Sequence, residues 1–328
     1  MLVVVASLAL ATSILGAVPS ASGGGRSSTT GVVVIQTRLG LANSAAAGTG
    51  MVVTSSGEVL TNNHVIRGAT QIRVRVTASG RTYRARVLGY SVSADVALLK
   101  LADASSLATV SIGNSSTVEL GDAVTAVGNA GGTGTLTTKE GSITGLGRTI
   151  TVSDGQGLSA RLTHLLETDA GVESGDSGGP LLDTAGRVVG MTAAASFELG
   201  SRSTSSDGYA IPVNRAMSIV RQIERSQSSA TVHIGATPFL GISADTRGFG
   251  EAAGVMVAGV HGSSPAARAG IAAGDTIVSF NGNAVPTYSK LVARLLRWHP
   301  GDRVRLAWVD RFGTRDAGTV TLTSGPPQ

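Results

Sequence analysis

The chain has 328 residues, a formal net charge of +5, 45 glycines, 3% aromatic residues and no cysteine. That length predicts two domains with room for a sizeable core, and the cysteine count excludes disulfides, thiolate chemistry and cysteine-ligated metal. The basic balance comes without a Lys/Arg block or interleaved aromatics, so no nucleic-acid partner is expected.

Residues 1–18 are apolar or small and uncharged, and the chain then turns Ser/Gly-rich to Ser28. This has the form of an export-signal core followed by small residues suited to cleavage, although no Lys or Arg precedes it. The stretch is also just long enough for one membrane anchor. Residues 1–30 are therefore read as signal or anchor plus a Ser/Gly-rich segment, and the location as secreted or cell-envelope.

Short Val/Ile/Leu/Ala runs follow at 31–38, 48–54, 58–61, 71–76, 82–90 and 96–101, and again at 123–128, 141–146, 162–167, 180–182 and 188–193. Runs of this length between Gly, Ser, Thr and Asn clusters predict two stacked antiparallel barrels over residues 31–225. From 213 to 224 the period changes to that of a helix, with Ala216, Ile219, Val220 and Ile223 on one face. Residues 226–237 are polar and Ser-rich, the expected linker. Residues 238–328 form a second unit.

Chemistry enters with G-D-S-G-G-P at residues 175–180. A serine followed by two glycines presents its hydroxyl unobstructed, on a backbone free to aim N–H groups at a developing oxyanion. By itself such a turn is equally an ordinary surface loop. Upstream, however, lie T-N-N-H-V at 61–65 and A-D-V-A-L-L-K at 94–100. Ser177 needs a base to take its proton, which His64 can supply, and a carboxylate to orient the imidazole, which Asp95 can supply. Asp122 and Asp169 are rival carboxylates, while His164, His233, His261 and His299 read as solvated or structural. The order His64, Asp95, Ser177 is the chymotrypsin-like one and not that of subtilisin or the α/β-hydrolases. Backbone N–H groups of Gly175 and Ser177 would then form the oxyanion hole. No metal cluster, Walker loop or dinucleotide turn is present, so no cofactor and no metal is implied.

Together with T-D-A at 168–170 and G-Y-A-I-P at 208–212, these motifs resemble the HtrA (Deg) serine proteases over nearly the whole chain after residue 30. The resemblance implies an ATP-independent endopeptidase that cleaves unfolded or damaged proteins in the bacterial envelope or exterior. It also allows a homo-trimer, for which no residue here marks a contact. Asp176 departs from the family, which usually carries Asn before the nucleophile. Chymotrypsin-like zymogens have Asp there, paired after processing with a newly freed amino terminus. Two roles for Asp176 stay open: a link to amino-terminal processing, or a local hydrogen bond or pair with a nearby Arg.

By position relative to Ser177, the primary specificity pocket is expected from Gly171 and Val172 on one side and from residues 191–195 on the other, with Thr192, Ala193 and Ala194 as its wall. No acidic residue marks its base, so a small or medium apolar side chain suits it better than Lys or Arg. The stretch F-L-G-I at 239–242 and the run from Ser264 to Gly282 resemble the PDZ domains of HtrA proteins. The fold class expected is thus an all-β chymotrypsin-like double barrel plus an α+β PDZ domain. That domain would take peptide C-termini as an added strand, with Leu240, Gly241 and Ile242 as the carboxylate loop. Leu291, Val292, Leu295 and Leu296 recur at helical spacing after Thr287, with Val292 and Leu295 proposed for the groove. The same stripe is what any core-packing helix shows. The alternative function is an envelope chaperone or peptide-binding scaffold whose proteolysis is silent or secondary.

Overall fold

In the computed structural model, residues 29–153, 159–193, 208–245 and 254–328 are described. The apolar stretch read as an export signal lies outside them. Six antiparallel strands build the first barrel: β1 (Val32–Leu39), β2 (Ser44–Thr54), β3 (Glu58–Thr61), β4 (Gln71–Val76), β5 (Thr82–Ser91) and β6 (Val96–Leu101), with the one-turn helix α1 (Asn63–Ile66) between β3 and β4. The order β5-β4-β1-β2-β3-β6 is closed into a ring by pairing of β5 with β6. Alternation decides which side chains point in. In β4, Ile72 and Val74 are buried while Arg73 and Arg75 face out, the two-residue period of a half-buried strand.

The second barrel comprises β7 (Ser111–Ile112), β8 (Ala123–Gly128), β9 (Thr137–Ser153), β10 (Ser159–Thr168), β11 (Pro180–Leu182), β12 (Arg187–Ala193) and β13 (Gly208–Pro212). Its ring runs β11-β8-β9-β10-β13-β12 and is closed by β11 with β12, while β7 adds in parallel to β12. Strands β9 and β10 extend well past the predicted runs 141–146 and 162–167. Ladder hydrogen bonds need only backbone, so the hairpin continues through polar residues that an apolar-run criterion passes over. Helix α2 (Val213–Glu224) occupies the predicted span and buries the predicted face. That face closes a core shared by both barrels, with Met51, Leu60 and Leu98 from the first and Val127, Leu182 and Met191 from the second. The cleft between two such barrels can be lined by residues from both.

The Ser-rich segment expected to link the units is itself tied down. Its β14 (His233–Ile234) pairs with β5 of the first barrel. The α+β unit then follows as β15 (Thr237–Phe239), β16 (Ile242–Ala244), β17 (Val255–Val260), α3 (Pro265–Arg268), β18 (Thr276–Phe280), β19 (Asn283–Ala284), α4 (Tyr288–Leu295), β20 (Arg303–Val309), β21 (Arg315–Thr321) and β22 (Thr323–Gly325). Its sheet is ordered β16-β17-β18-β20-β21, which leaves β16 at an edge, and β15 pairs separately with β22. Thr287 caps α4 as predicted, its hydroxyl accepting from Lys290 N at 3.2 Å.

A polar seam joins this unit to the first barrel. The fully buried Tyr90 hydroxyl lies 3.1 Å from Thr237 Oγ1 and accepts from Gln328 N at 3.3 Å. His233, read from the sequence as solvated or structural, is buried beside Tyr90, and its Nδ1 lies 2.9 Å from the carbonyl of Leu296.

Candidate active site

His64 is delivered by α1, whose Val65 and Ile66 are sunk into the first barrel and fix the helix there. Asp95 stands in the turn before β6 at φ +54°, a left-handed conformation that an aspartate tolerates better than most residues. The local geometry joins the two. His64 Nδ1 lies 2.7 Å from Asp95 Oδ2, His64 N donates to Asp95 Oδ1 at 2.9 Å, and Asn62 Nδ2 donates to Asp95 O at 2.9 Å. A carboxylate accepts only, so this contact puts the imidazole proton on Nδ1 and leaves Nε2 as the basic nitrogen. Asp95 is buried, while the His64 side chain keeps 25% of its surface. The rival carboxylates are occupied elsewhere: Asp122 accepts from Glu119 N, and Asp169 from Ser142 N.

Ser177 comes from the second barrel, on the turn into β11, and is reached by the first barrel through Thr49. Thr49 N donates to Ser177 O at 2.9 Å, and Thr49 Oγ1 donates to Gly175 O at 2.7 Å and accepts from Asn129 N at 2.9 Å. Thr61, three residues before His64, donates its hydroxyl to Thr49 O at 2.7 Å. One buried threonine thus connects the strand leading to His64 with the turn carrying Ser177.

The turn's peptide planes are set by their carbonyls. Ser174 O accepts from Gly131 N at 2.8 Å. Asp176 O accepts from Thr192 Oγ1 at 2.6 Å and from Gly179 N at 2.9 Å. A trans peptide carries its N–H opposite its C=O, so the N–H groups of Gly175 and Ser177 are turned away from these anchors. Gly175 sits at φ +98°, and a Cβ there would come within 2.2 Å of Asn129 O, so no other residue fits.

Asp176 is 2% exposed and pairs not with an arginine but with Lys139 of β9, whose Nζ lies 3.2 Å from Oδ2. Thr192, expected in the pocket wall, is fully buried with its hydroxyl spent on the turn. Ala193 is buried in the β12–β13 ladder, Gly171 and Val172 are half-buried, and Ala194 lies outside the described residues. Thr49, Asn129 and Lys139 were not singled out from the sequence, where a Thr in a run of small residues or a Lys in a polar strand carries no motif.

In the α+β unit, Leu240 O accepts from Ala266 N at 3.0 Å and Gly241 O from His261 N at 2.9 Å. By the same reasoning the N–H groups of Gly241 and Ile242 are turned away from α3 and β17. Gly241 sits at φ +84°, and a Cβ there would come within 2.1 Å of Ser264 Cβ. Leu295 belongs to this unit's core, together with Leu291. Val292 instead lines a cleft of about 280 Å³ between α4 and residues 229–233 of the segment bound to the first barrel.

Comparison with known proteins identifies both domains. A family model described as a trypsin-like peptidase domain matches residues 48–191, and one described as a PDZ domain matches residues 238–320. A probable periplasmic serine endoprotease DegP-like of Pseudomonas savastanoi is 32% identical over 285 residues, 86% of this chain and 56% of that protein. The periplasmic pH-dependent serine endoprotease DegQ of Escherichia coli is 33% identical over 263 residues, 79% of this chain and 55% of that protein. The chain thus spans little more than half the length of these curated relatives. Among solved structures, the HtrA-type protease AlgW with tripeptide aligns at a TM-score of 0.52 and 29% identity, covering 92% of this chain and 95% of that one. With both domains matched and relatives of this kind along most of its length, the chain belongs to the HtrA family of trypsin-like serine proteases that carry a PDZ domain.

Proposed function

We propose that the protein is a serine endopeptidase acting on unfolded or damaged proteins in the cell envelope or exterior, without ATP. Ser177 Oγ attacks the scissile carbonyl, His64 Nε2 takes the proton and returns it to the leaving amine, and Asp95 holds the tautomer and stabilises the imidazolium. The N–H groups of Gly175 and Ser177 receive the oxyanion. The observation that carries this reading is the pairing of His64 with Asp95 on one barrel beside a serine turn on the other whose two relevant peptide planes are pinned by their carbonyls. The envelope location is supported by the periplasmic relatives.

The PDZ unit presents the C-terminus of a substrate or regulator. The N–H groups of Gly241 and Ile242 receive its carboxylate, and the edge strand β16 takes its backbone as an added strand. At the protease cleft we propose a preference for a small or medium apolar residue before the cleaved bond, since Val172 and Ala193 bring no carboxylate.

Turnover of a denatured protein such as casein, measured beside Ser177→Ala, tests the reading. Wild-type cleavage with loss of roughly 10⁴-fold or more in the variant is expected, and equal, negligible turnover by both would defeat it. Mass spectrometry of the products reports the cleavage preference in the same experiment.

A further inference from the structure

The turn before Ser177 is bound to a single cation. Lys139 Nζ lies 2.9 Å from Gly171 O, 3.1 Å from Glu173 Oε1 and 3.2 Å from Asp176 Oδ2. An ammonium has three N–H donors, and here there are three acceptors, all within six residues of one turn. The turn answers with two further bonds of its own, Glu173 N to Asp176 Oδ2 and Asp176 N to Glu173 O, each 3.0 Å. Lysine suits this place as arginine does not. Three tetrahedrally spread donors meet acceptors arranged around a point, whereas a guanidinium presents a flat fork. The choice stands out in a chain with only three lysines among 26 basic residues.

The carboxylate on the other side of the contact depends on that cation. Asp176 is 2% exposed, and its Oδ1 has no hydrogen-bond partner among the described residues. It occupies space left by Gly128, where a Cβ would come within 2.4 Å of Oδ1. A buried charge left without its partner is strongly unfavourable, so loss of Lys139 would drive Asp176, and the peptide planes on either side of it, toward another arrangement. The plane after Asp176 carries the Ser177 N–H directly, and the plane before it adjoins the one that carries the Gly175 N–H.

We infer that Lys139 is a positioning residue for the oxyanion hole: an internal cation that holds Asp176 in the role a freed amino terminus plays in zymogen-derived enzymes, so that the turn is set without amino-terminal processing. This rests on the endopeptidase reading above. The contacts of Lys139 run to Gly171, Glu173 and Asp176 and not to His64 or the Ser177 hydroxyl. Lys139 acts on the oxyanion turn through Asp176, so its removal is expected to lower kcat more than it changes substrate affinity, which is altered only as far as the pocket residue Gly171 loses its tie.

The test is a double-mutant cycle on the full chain with a short chromogenic peptide, Ser177→Ala serving as blank. Lys139→Met is expected to lower kcat at least thirtyfold with KM within threefold of wild type. In the Asp176→Asn background the same exchange is expected to matter less than threefold, because a neutral amide needs no cation. A purely structural role for Lys139 would lower the melting temperature in both backgrounds without that rescue. Should Lys139→Met not accumulate as folded protein, Lys139→Arg replaces it, with a smaller loss of kcat that Asp176→Asn again relieves. The wild-type chain is also assayed with an uncleaved amino-terminal tag and after its removal, with kcat expected within twofold. If wild type is no better than Ser177→Ala, the endopeptidase reading falls and this inference with it. If wild type is active and a folded Lys139→Met keeps kcat within threefold, if Asp176→Asn gives no rescue, or if activity appears only after tag removal, the inference alone is overturned.

Discussion

In the turn at residues 174–177, Gly131 and Thr192 hold the carbonyls of Ser174 and Asp176. In the loop at residues 239–242, Ala266 and His261 hold the carbonyls of Leu240 and Gly241. Both places use the geometry of the trans peptide to aim N–H groups by tying down the oxygens behind them, and both turn through a glycine at positive φ. The support behind each differs. The serine turn is held by β2, β9, β12 and the Asn129 corner, with two threonine hydroxyls and an ammonium among the ties. The PDZ loop leans on backbone donors of α3 and its approach, plus one weak hydroxyl contact from Ser264 at 3.3 Å. A carboxylate arrives with its charge already formed and can be met by a loop that adjusts. An oxyanion exists only in the transition state, so its donors must be in place beforehand.

The sharpest way to break this comparison is Gly175→Ala. The added Cβ meets Asn129 O, and the turn cannot relax around it because Thr49 holds Gly175 O from the other side. Loss of one oxyanion donor is expected to lower kcat about 10²- to 10³-fold, with KM and C-terminal peptide binding unchanged. Stopped-flow or steady-state assays on a short peptide, beside peptide titration by fluorescence anisotropy, read the two halves separately. Equal losses in both assays would mean the turn and the PDZ loop are not independent.

Next in size is an alkaline transition at the seam between the units. Burial pushes the Tyr90 phenol up from its ordinary value to about 12, outweighing the bonds from Thr237 and Gln328 that favour the ionised form. The unfolded chain therefore gives up this proton first. The stabilisation is complete below about pH 10 and is lost as pH rises toward 12, about 3 kcal/mol in all. Chemical denaturation across that range should show the decline in wild type and a flatter one in Tyr90→Phe. A decline of the same slope in both would show that Tyr90 does not carry it.

How far each region was legible follows from where its information lies. His64, Asp95 and Ser177 each stand in a short local motif, their chain order is not that of subtilisin or the α/β-hydrolases, and α2 showed its buried face in its own period. Thr49 acts on Gly175 from 126 residues away through a hydroxyl and a backbone carbonyl, and Lys139 acts on Asp176 across 37 residues. Long-range contacts of that kind, one to a backbone carbonyl and one to a carboxylate, place no demand on the neighbouring sequence, so nothing local records them. Asp176 was conspicuous only as a departure from the family's asparagine; it takes the local hydrogen bond that was one expectation, from Glu173 N, and its ionic partner is a lysine on β9 where an arginine or the amino terminus was the other. Thr192 was placed in the pocket by counting from Ser177. Counting locates a residue along a strand but does not say which neighbour its hydroxyl reaches.

Gly241→Ala repeats the Gly175 experiment where support is thinner. Its Cβ would overlap Ser264, at a φ that alanine rarely adopts. The expected outcome is at least tenfold weaker binding of a C-terminal peptide, about 1.4 kcal/mol, with kcat on a short substrate unaffected. The loss should be smaller than that of Gly175→Ala because α3 can give way. A larger loss would reverse the ranking of the two loops.

Ser264→Ala isolates the weakest tie. Ser264 caps α3 by accepting from Ala267 N at 3.2 Å and also reaches Gly241 O. Loss of such a cap costs about 1 kcal/mol, and here the cap belongs to the same four-residue helix whose Ala266 N holds Leu240 O. Calorimetry should report a modest destabilisation of the PDZ unit, and peptide titration a two- to fivefold weaker affinity. The two are expected to move together, since the hydroxyl serves helix and loop at once. If stability falls while affinity holds, the carbonyl ties from Ala266 and His261 suffice to aim the loop. The PDZ loop would then be as rigidly preset as the serine turn, and the distinction between a loop that adjusts and a turn that cannot would have to be given up.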